Sequence, residues 1–273
     1  MTNDRTQGDV TTKIGWIGLG DIGTRMVKRL LAAGYPVTVY PRGGGLDDVT
    51  TGGAKLQPEY ARLGSDSDLL VVCVYDDAQV RSVLFDNGAL AAMRPGSVLA
   101  LHTTGSPGLM RELGEKAPPG VQVLDVTFSG GPADVEVGGL TLMVGGDADA
   151  LERTRAVFDT YAARIYRVGA LGQGQLVKLM NNLLLGANMM NAVELLRMAE
   201  GLGFDTTTVA RIIQASSGAS YAMRLFQNQP VAKIMDASRH YLEKDVAVAL
   251  AAAEESGLDV SAFAATAAYY AKR

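Results

Sequence analysis

The sequence predicts an α/β chain in which a doubly wound, mostly parallel sheet is followed by an all-helical part. Three observations carry this. Short Val/Leu/Ile-rich runs alternate with amphipathic helical patterns up to about residue 170. The first such run passes through a glycine-spaced turn straight into a helix. Beyond Gly172 the strand-like runs stop and only helical periodicity continues.

Taken in order, residues 13–17 (Lys13-Ile14-Gly15-Trp16-Ile17) read as the first strand. A helix follows over residues 24–33, with Met26, Val27, Leu30 and Leu31 as its apolar stripe and Gly34 as its stop. Further strands are expected at residues 37–40, 69–74, 97–101, 121–126 and 140–144, with a helix around 78–84. Residues 176–201 form one long helical stretch that is apolar on most sides. It is therefore expected to be covered all round, between domains or against another subunit. Residues 206–273 hold no convincing strand and break at Ser216-Ser217-Gly218, Pro230 and Gly257. Alanine-rich helix near the end reflects helix propensity. The expected domains are thus 1–171 and 172–273, with no internal repeat.

The chain has 273 residues, 48% hydrophobic residues and a formal net charge of -4. Such composition excludes disorder, and the mild acidity gives no reason to expect nucleic acid or an anionic membrane as partner. Cys73 is the only cysteine, so no intrachain disulfide forms; it lies in a buried-strand pattern and reads as a packed thiol. The polar start lacks the apolar core of a signal peptide, and no run is long and apolar enough to span a bilayer. A cytoplasmic location is the resulting expectation. The two histidines, His102 and His240, stand apart from any metal-ligand cluster, so no metal is expected and both read as structural or peripheral.

Gly18-Leu19-Gly20-Asp21-Ile22-Gly23 has the spacing G-x-G-x-x-G, weak alone but here set between a strand and a helix. In that setting the first glycine makes the tight turn, the second lets backbone approach a pyrophosphate, and the third allows close helix–strand packing. The helix N-terminus offers N–H groups and a positive dipole end to the phosphates. The first part therefore reads as a Rossmann-type dinucleotide-binding domain. Cofactor choice is set after the second strand, where a carboxylate would bond the ribose hydroxyls and repel a 2′-phosphate. That strand ends Tyr40-Pro41-Arg42-Gly43-Gly44, with no carboxylate before Asp47. Arg42 can pair with a 2′-phosphate, which favours NADP(H) over NAD(H); otherwise it is a solvated loop cation.

Lys178 is the only charge between Arg167 and Glu194, in a helix otherwise apolar and amide-rich. Desolvating an ammonium is costly unless it is paired or loses its proton. Two readings follow: a lysine whose stem packs on the core while its head reaches water, or a desolvated amine able to give and take a proton. Asn182 follows by one helical turn on the same face, where its amide can hold a substrate and orient Lys178; Asn181 points elsewhere.

Several motifs in this order resemble the β-hydroxyacid dehydrogenase family, which includes 3-hydroxyisobutyrate dehydrogenase and semialdehyde reductases. They are the glycine loop, the stretch from Val83-Leu84-Phe85 through Arg94-Pro95-Gly96-Ser97, Thr103-Thr104-Gly105-Ser106-Pro107, Asp125-Val126-Thr127-Phe128-Ser129-Gly130-Gly131, residues 172–182, and Lys244-Asp245-Val246-Ala247. The resemblance spans nearly the whole chain. It implies that Lys178 is the proton donor and acceptor while hydride passes between NADP(H) and a small β-hydroxyacid or its semialdehyde. It also implies that Ser129, Gly130 and Gly131 present a hydroxyl and backbone N–H groups to a substrate carboxylate. Thr104 would lie near the nicotinamide, and Lys244 on the cofactor side.

The chain departs from the family pattern in places. Leu101 stands where aspartate is usual, Thr127-Phe128 replaces Pro-Val, and Asp134-Val135 replaces Gly-Ala. Phe128 beside the expected cradle reshapes the pocket, so substrate identity is less determined than reaction class. The chain ends at Tyr270-Ala271-Lys272-Arg273 within a helical pattern, where relatives usually continue into a glycine-containing turn and an acidic tail. An imine reductase or reductive aminase would share the glycine loop and long helix but usually lacks the lysine at 178. A non-catalytic relative would lose it as well. A homodimer is expected from the long apolar helix.

Overall fold

The computed structural model describes residues 11–271. Most of the polar opening stretch and the last two residues, on which the expectations about a leader segment and the chain end partly rest, lie outside these. The chain divides into two compact units, Met1–Lys178 and Leu179–Arg273.

The first unit is built on one eight-stranded sheet: β1 (Ile14–Ile17), β2 (Val37–Val39), β3 (Lys55–Leu56), β4 (Leu69–Val72), β5 (Val98–Leu101), β6 (Gln122–Ser129), β7 (Leu140–Gly146) and β8 (Ala162–Gly169). Their spatial order is β3-β2-β1-β4-β5-β6-β7-β8. The strands from β3 to β6 are parallel, β7 runs antiparallel to β6, and β8 is parallel to β7. The order reverses at β1, the kind of switch point where open α/β sheets bind ligands beyond the strands' carboxyl ends.

Alternation along the strands explains why both faces are covered. Trp16, Leu69, Val71, Val98, Ala100, Leu124 and Val126 pack into one buried cluster with Met26, Val27 and Leu30 from the helix Asp21–Ala32. Ile17, Leu70, Val72, Leu99, Leu101 and Val123 face the opposite cluster, with Leu109, Met110 and Leu113 from the helix Pro107–Lys116. Central strands buried on both faces read as continuous apolar runs, so these were legible.

Two strands were not expected. β3 has only two residues, both exposed, and β8 carries Arg164, Tyr166 and Arg167 on its exposed positions. Both are edge strands, and polar edge composition hides the strand pattern.

The second unit is helical: most of the long helix Gln173–Gly201 is followed by Thr206–Gln214, Tyr221–Leu225, Val231–Glu255 and Ala264–Ala271. Leu183, Met189, Val193 and Leu196 pack there with Phe226, Leu242, Val246 and Tyr270. The expectation that the long helix is covered all round is not met within the chain. Met180, Leu184 and Met198 are 61%, 56% and 59% exposed. They fall at helical spacing on the face turned away from the buried residues. Among the described residues no helix is long and apolar enough to cross a membrane.

Candidate active site

The parallel strands deliver their carboxyl ends to one edge of the sheet, and most of the expected site residues of the first unit follow those ends. After β1, Gly18 takes φ +106°, a conformation side chains rarely adopt. A Cβ there would lie 2.1 Å from the Cys73 carbonyl oxygen. A Cβ on Gly23 would lie 2.2 Å from the Gly18 carbonyl oxygen, which accepts a hydrogen bond from the Trp16 indole N–H at 2.9 Å. The chain's own packing therefore demands glycine at 18 and 23. It does not demand glycine at 20, where φ is -72° and a Cβ would meet nothing within 4 Å. What Gly20 preserves is open space at the start of the helix Asp21–Ala32, which no side chain caps. That arrangement fits a pyrophosphate resting on backbone N–H groups.

Arg42 lies exposed in the loop after β2. Its guanidinium lies near the Tyr60 hydroxyl, and the Tyr60 ring stacks on Tyr40 at 3.7 Å between centroids. No carboxylate precedes Asp47 in this loop, and Asp47 and Asp48 fall in the next helix, Leu46–Thr51. Cys73, beside the Gly18 turn, has its thiol pushed up to about 12 by burial, which leaves it protonated.

Thr104 is half-buried in the loop after β5. The neighbouring Thr103 hydroxyl joins β4 and β5, accepting from the Val74 N–H at 3.0 Å and donating to the Val74 carbonyl at 2.9 Å. His102 is buried among Trp16, Phe128, Phe158 and Tyr161. Its ring bonds the Val126 carbonyl and the Tyr161 hydroxyl. Burial lowers its pKa to about 4, so it is neutral and serves the core.

β6 ends at Ser129 and leads into Gly130 and Gly131. Gly130 takes φ +130° and packs on Leu140 and Asp134. The Gly131 N–H, expected to face a substrate carboxylate, instead donates to Asp134 at 2.7 Å. Asp134 sits at the third position of the helix Pro132–Glu136 and reaches back to its start, as acidic residues there commonly do. Space nonetheless remains at Gly131, where a Cβ would find only the Asp134 carboxylate, 4.0 Å away. Lys178 meets this segment. Its Nζ stands 5.9 Å from the centroid of the Phe128 ring, immediately before Ser129. A ring face at that distance favours an ammonium.

Asp125 and Gln175 were not singled out in the sequence. Asp125 is fully buried on β6 and accepts from the Gly172 N–H at 2.9 Å and the Gln175 N–H at 2.7 Å. Burial raises its pKa to about 6, against the lowering effect of those N–H groups. The signal was present, since it is the only charged residue of β6, as Lys178 is the only charge of its stretch.

Within the helical unit two expected residues share a partner. Asn182 is buried and its Nδ2 donates to Asp245, while its Oδ1 accepts from the Asn181 amide at 2.9 Å. Asn181, expected to point elsewhere, lends its amide to Asn182. Lys244 pairs with the other oxygen of Asp245 at 3.3 Å. Among the described residues no group of three or more metal-ligating side chains comes together.

A dinucleotide loop, a mostly parallel sheet with its switch point at β1, and a lysine over the end of β6 define a pyridine-nucleotide-dependent oxidoreductase. Residues 13–169 match the model of the NAD-binding domain of 6-phosphogluconate dehydrogenase. Residues 172–273 match that described as the NAD-binding region of NADP-dependent 3-hydroxyisobutyrate dehydrogenase. The chain belongs to the β-hydroxyacid dehydrogenase family, the relatives of 3-hydroxyisobutyrate dehydrogenase. It is 34% identical to probable 3-hydroxyisobutyrate dehydrogenase-like 2, mitochondrial, of Arabidopsis thaliana, over 89% of this chain and 82% of that protein. It is 32% identical to an NAD-dependent L-serine dehydrogenase of Pseudomonas aeruginosa, over 89% of this chain and 86% of the relative. The structure of Mycobacterium tuberculosis 3-hydroxyisobutyrate dehydrogenase with L-serine superposes with a TM-score of 0.84 at 26% identity, covering 96% of this chain and 93% of that one.

Proposed function

We propose that the enzyme interconverts a small β-hydroxyacid and its semialdehyde or ketone, with Lys178 as general acid and base and NADP(H) as cofactor. The observation that carries this reading is the approach of Lys178 to Phe128 at the mouth of the Ser129–Gly131 segment. The cofactor supplies or accepts the hydride at the substrate carbon. In reduction, the Lys178 ammonium gives a proton to the carbonyl oxygen as negative charge develops there; in oxidation, the neutral amine takes the hydroxyl proton. Ser129 and Gly130 hold the substrate carboxylate, and Gly131 contributes room rather than a donor. Thr104 lines the same edge. In the helical unit the Asn182 amide donates to Asp245, whose other oxygen pairs with Lys244 at 3.3 Å. The first unit thereby serves as the nucleotide-binding domain, and the helical one pairs two copies of the chain.

The decisive experiment follows NADPH and NADH oxidation with succinic, methylmalonic and tartronic semialdehydes and glyoxylate, together with 3-hydroxyisobutyrate and L-serine in the oxidative direction. Turnover of at least one β-hydroxyacid or semialdehyde, lost in Lys178→Ala, is expected. Reduction of cyclic imines with no turnover of these acids would instead establish an imine reductase.

The P. aeruginosa relative is named as NAD-dependent, so cofactor choice rests on the loop after β2. Arg42 supplies the charge-assisted bond that a 2′-phosphate requires. Arg42→Ala is expected to raise the KM for NADPH about 10- to 100-fold, the equivalent of ~1.5–3 kcal/mol. Its KM for NADH should stay unchanged. A wild-type preference for NADH would overturn the assignment.

The exposed stripe Met180, Leu184 and Met198 supports the homodimer. Sedimentation at micromolar concentration is expected to give a dimer, and Leu184→Asp a monomer. A wild-type monomer would refute it.

A further inference from the structure

Every helix begins with N–H groups that lack an intrahelical partner, and the commonest solution is a local Ser, Thr, Asp or Asn at the cap. The long helix Gln173–Gly201 begins differently. Its first turn is taken by a carboxylate from β6, 47 to 50 residues away, with one Asp125 oxygen on the Gly172 N–H and the other on the Gln175 N–H. Burying this carboxylate is costly, as its pKa near 6 reflects. A local cap would have satisfied the same N–H groups at the surface. What a local cap would not do is tie the helix to a particular strand.

Two further bonds complete the tie. The Gln175 side chain donates to the Thr103 carbonyl at 2.8 Å and accepts from the Gly105 N–H at 3.0 Å, so it holds both sides of Thr104. The Thr127 hydroxyl lies 3.0 Å from the Gly174 carbonyl and 3.2 Å from the Met143 carbonyl. Asp125, Thr127 and Gln175 are all fully buried. Gly174 lets the helix press this close, since a Cβ there would lie 2.6 Å from Asp125 and 2.7 Å from the Met143 carbonyl. The knot therefore gathers the loop of Thr104, the strand that ends in Ser129, and the first turn of the helix that bears Lys178. Lys178 follows Gln175 by three residues and so lies one turn along, on the same side of that helix.

We propose that Asp125, Gln175 and Thr127 are positioning residues, which set the rotation and height of the first helical turn so that the Lys178 amine meets the substrate carbonyl held at Ser129. This inference rests on the acid–base reading of Lys178. Thr127 strengthens the tie in this chain particularly, because a proline there would have no hydroxyl to bond the helix.

Asp125→Asn is the direct test. It keeps the shape but turns an amide donor toward a backbone N–H. With the best substrate of the panel above, kcat should fall about 10- to 100-fold, as expected for a small misplacement of a catalytic group. The KM for NADPH and its dissociation constant, followed by nucleotide fluorescence, should change less than about twofold. Acetylation of Lys178 by acetic anhydride, followed by mass spectrometry across pH, should show an altered rate profile. Thr127→Val removes one bond of the knot at nearly constant volume. It should lower kcat about 3- to 10-fold with the same split from KM, and it decides the matter if the asparagine variant does not fold. Wild-type kcat and an unchanged Lys178 profile in a folded variant would overturn the proposal. So would a parallel loss of kcat and nucleotide affinity, which would mark a general packing role. Full activity of Lys178→Ala would sink the underlying function instead, and the acetylation profile would still report on the knot.

Discussion

Lys178→Ala is expected to lower kcat about 100- to 10,000-fold, the usual worth of a positioned proton donor and acceptor. The dissociation constant for NADPH should hold, because the expected pyrophosphate contact is the backbone at Gly20, after β1. Hydride transfer to a carbonyl leaves an alkoxide that must be protonated, and without the amine that proton has to come from water. Lys178→Arg should not restore the rate, even though it keeps positive charge near the Phe128 ring. A guanidinium stays protonated throughout the accessible pH range and cannot act as base in the oxidative direction. The pair of variants therefore separates proton transfer from simple charge stabilisation. Steady-state kinetics in both directions is the measurement. Activity of the alanine variant within about threefold of wild type would remove Lys178 from the chemistry. Recovery by arginine would reduce it to an electrostatic partner of the substrate carboxylate.

Much of the fold could be read from the chain because the central strands are buried on both faces. A run such as Leu69-Leu70-Val71-Val72 has no other stable home. The edges were harder. β8 alternates buried and exposed positions irregularly and spends its exposed ones on arginine and tyrosine, so nothing in its composition separates it from a loop. The long helix was readable as a helix, but its coverage was not. A nearly uniform apolar surface does not reveal which stripe stays exposed, and the structure leaves Met180, Leu184 and Met198 outside.

The candidate site divides along the same physical line. Residues marked by a charge or a glycine in an unusual local setting stood out. What escaped was the long-range pairing. That the Gly131 N–H belongs to Asp134, and that the Asn182 amide belongs to Asp245 and Asn181, depends on side-chain geometry. Asp125 shows how far the local argument extends. The anomaly of a lone charge in its strand was visible, whereas its partners at Gly172 and Gln175 were fixed only by the fold.

Gly20→Val should leave the protein folded and abolish dinucleotide binding, with the dissociation constant for NADPH rising at least ~100-fold, or roughly 3 kcal/mol. The backbone at Gly20 is extended, with φ -72° and ψ -177°, which a β-branched residue adopts readily. A Cβ there would meet nothing in the protein, so the fold loses at most the modest preference for glycine over valine at a helix start, about 1 kcal/mol. The new side chain would instead occupy the space that the pyrophosphate needs. Gly18→Ala is the contrasting control. It must hold an alanine at φ +106° with its methyl 2.1 Å from the Cys73 carbonyl oxygen, so it should lower the melting temperature as well as nucleotide affinity. Thermal unfolding and NADPH fluorescence on the two variants resolve the roles of the two glycines. One glycine serves the chain's own turn and the other serves a ligand. If Gly20→Val bound NADPH within about threefold of wild type, the pyrophosphate would have to lie elsewhere and the loop would be a structural turn.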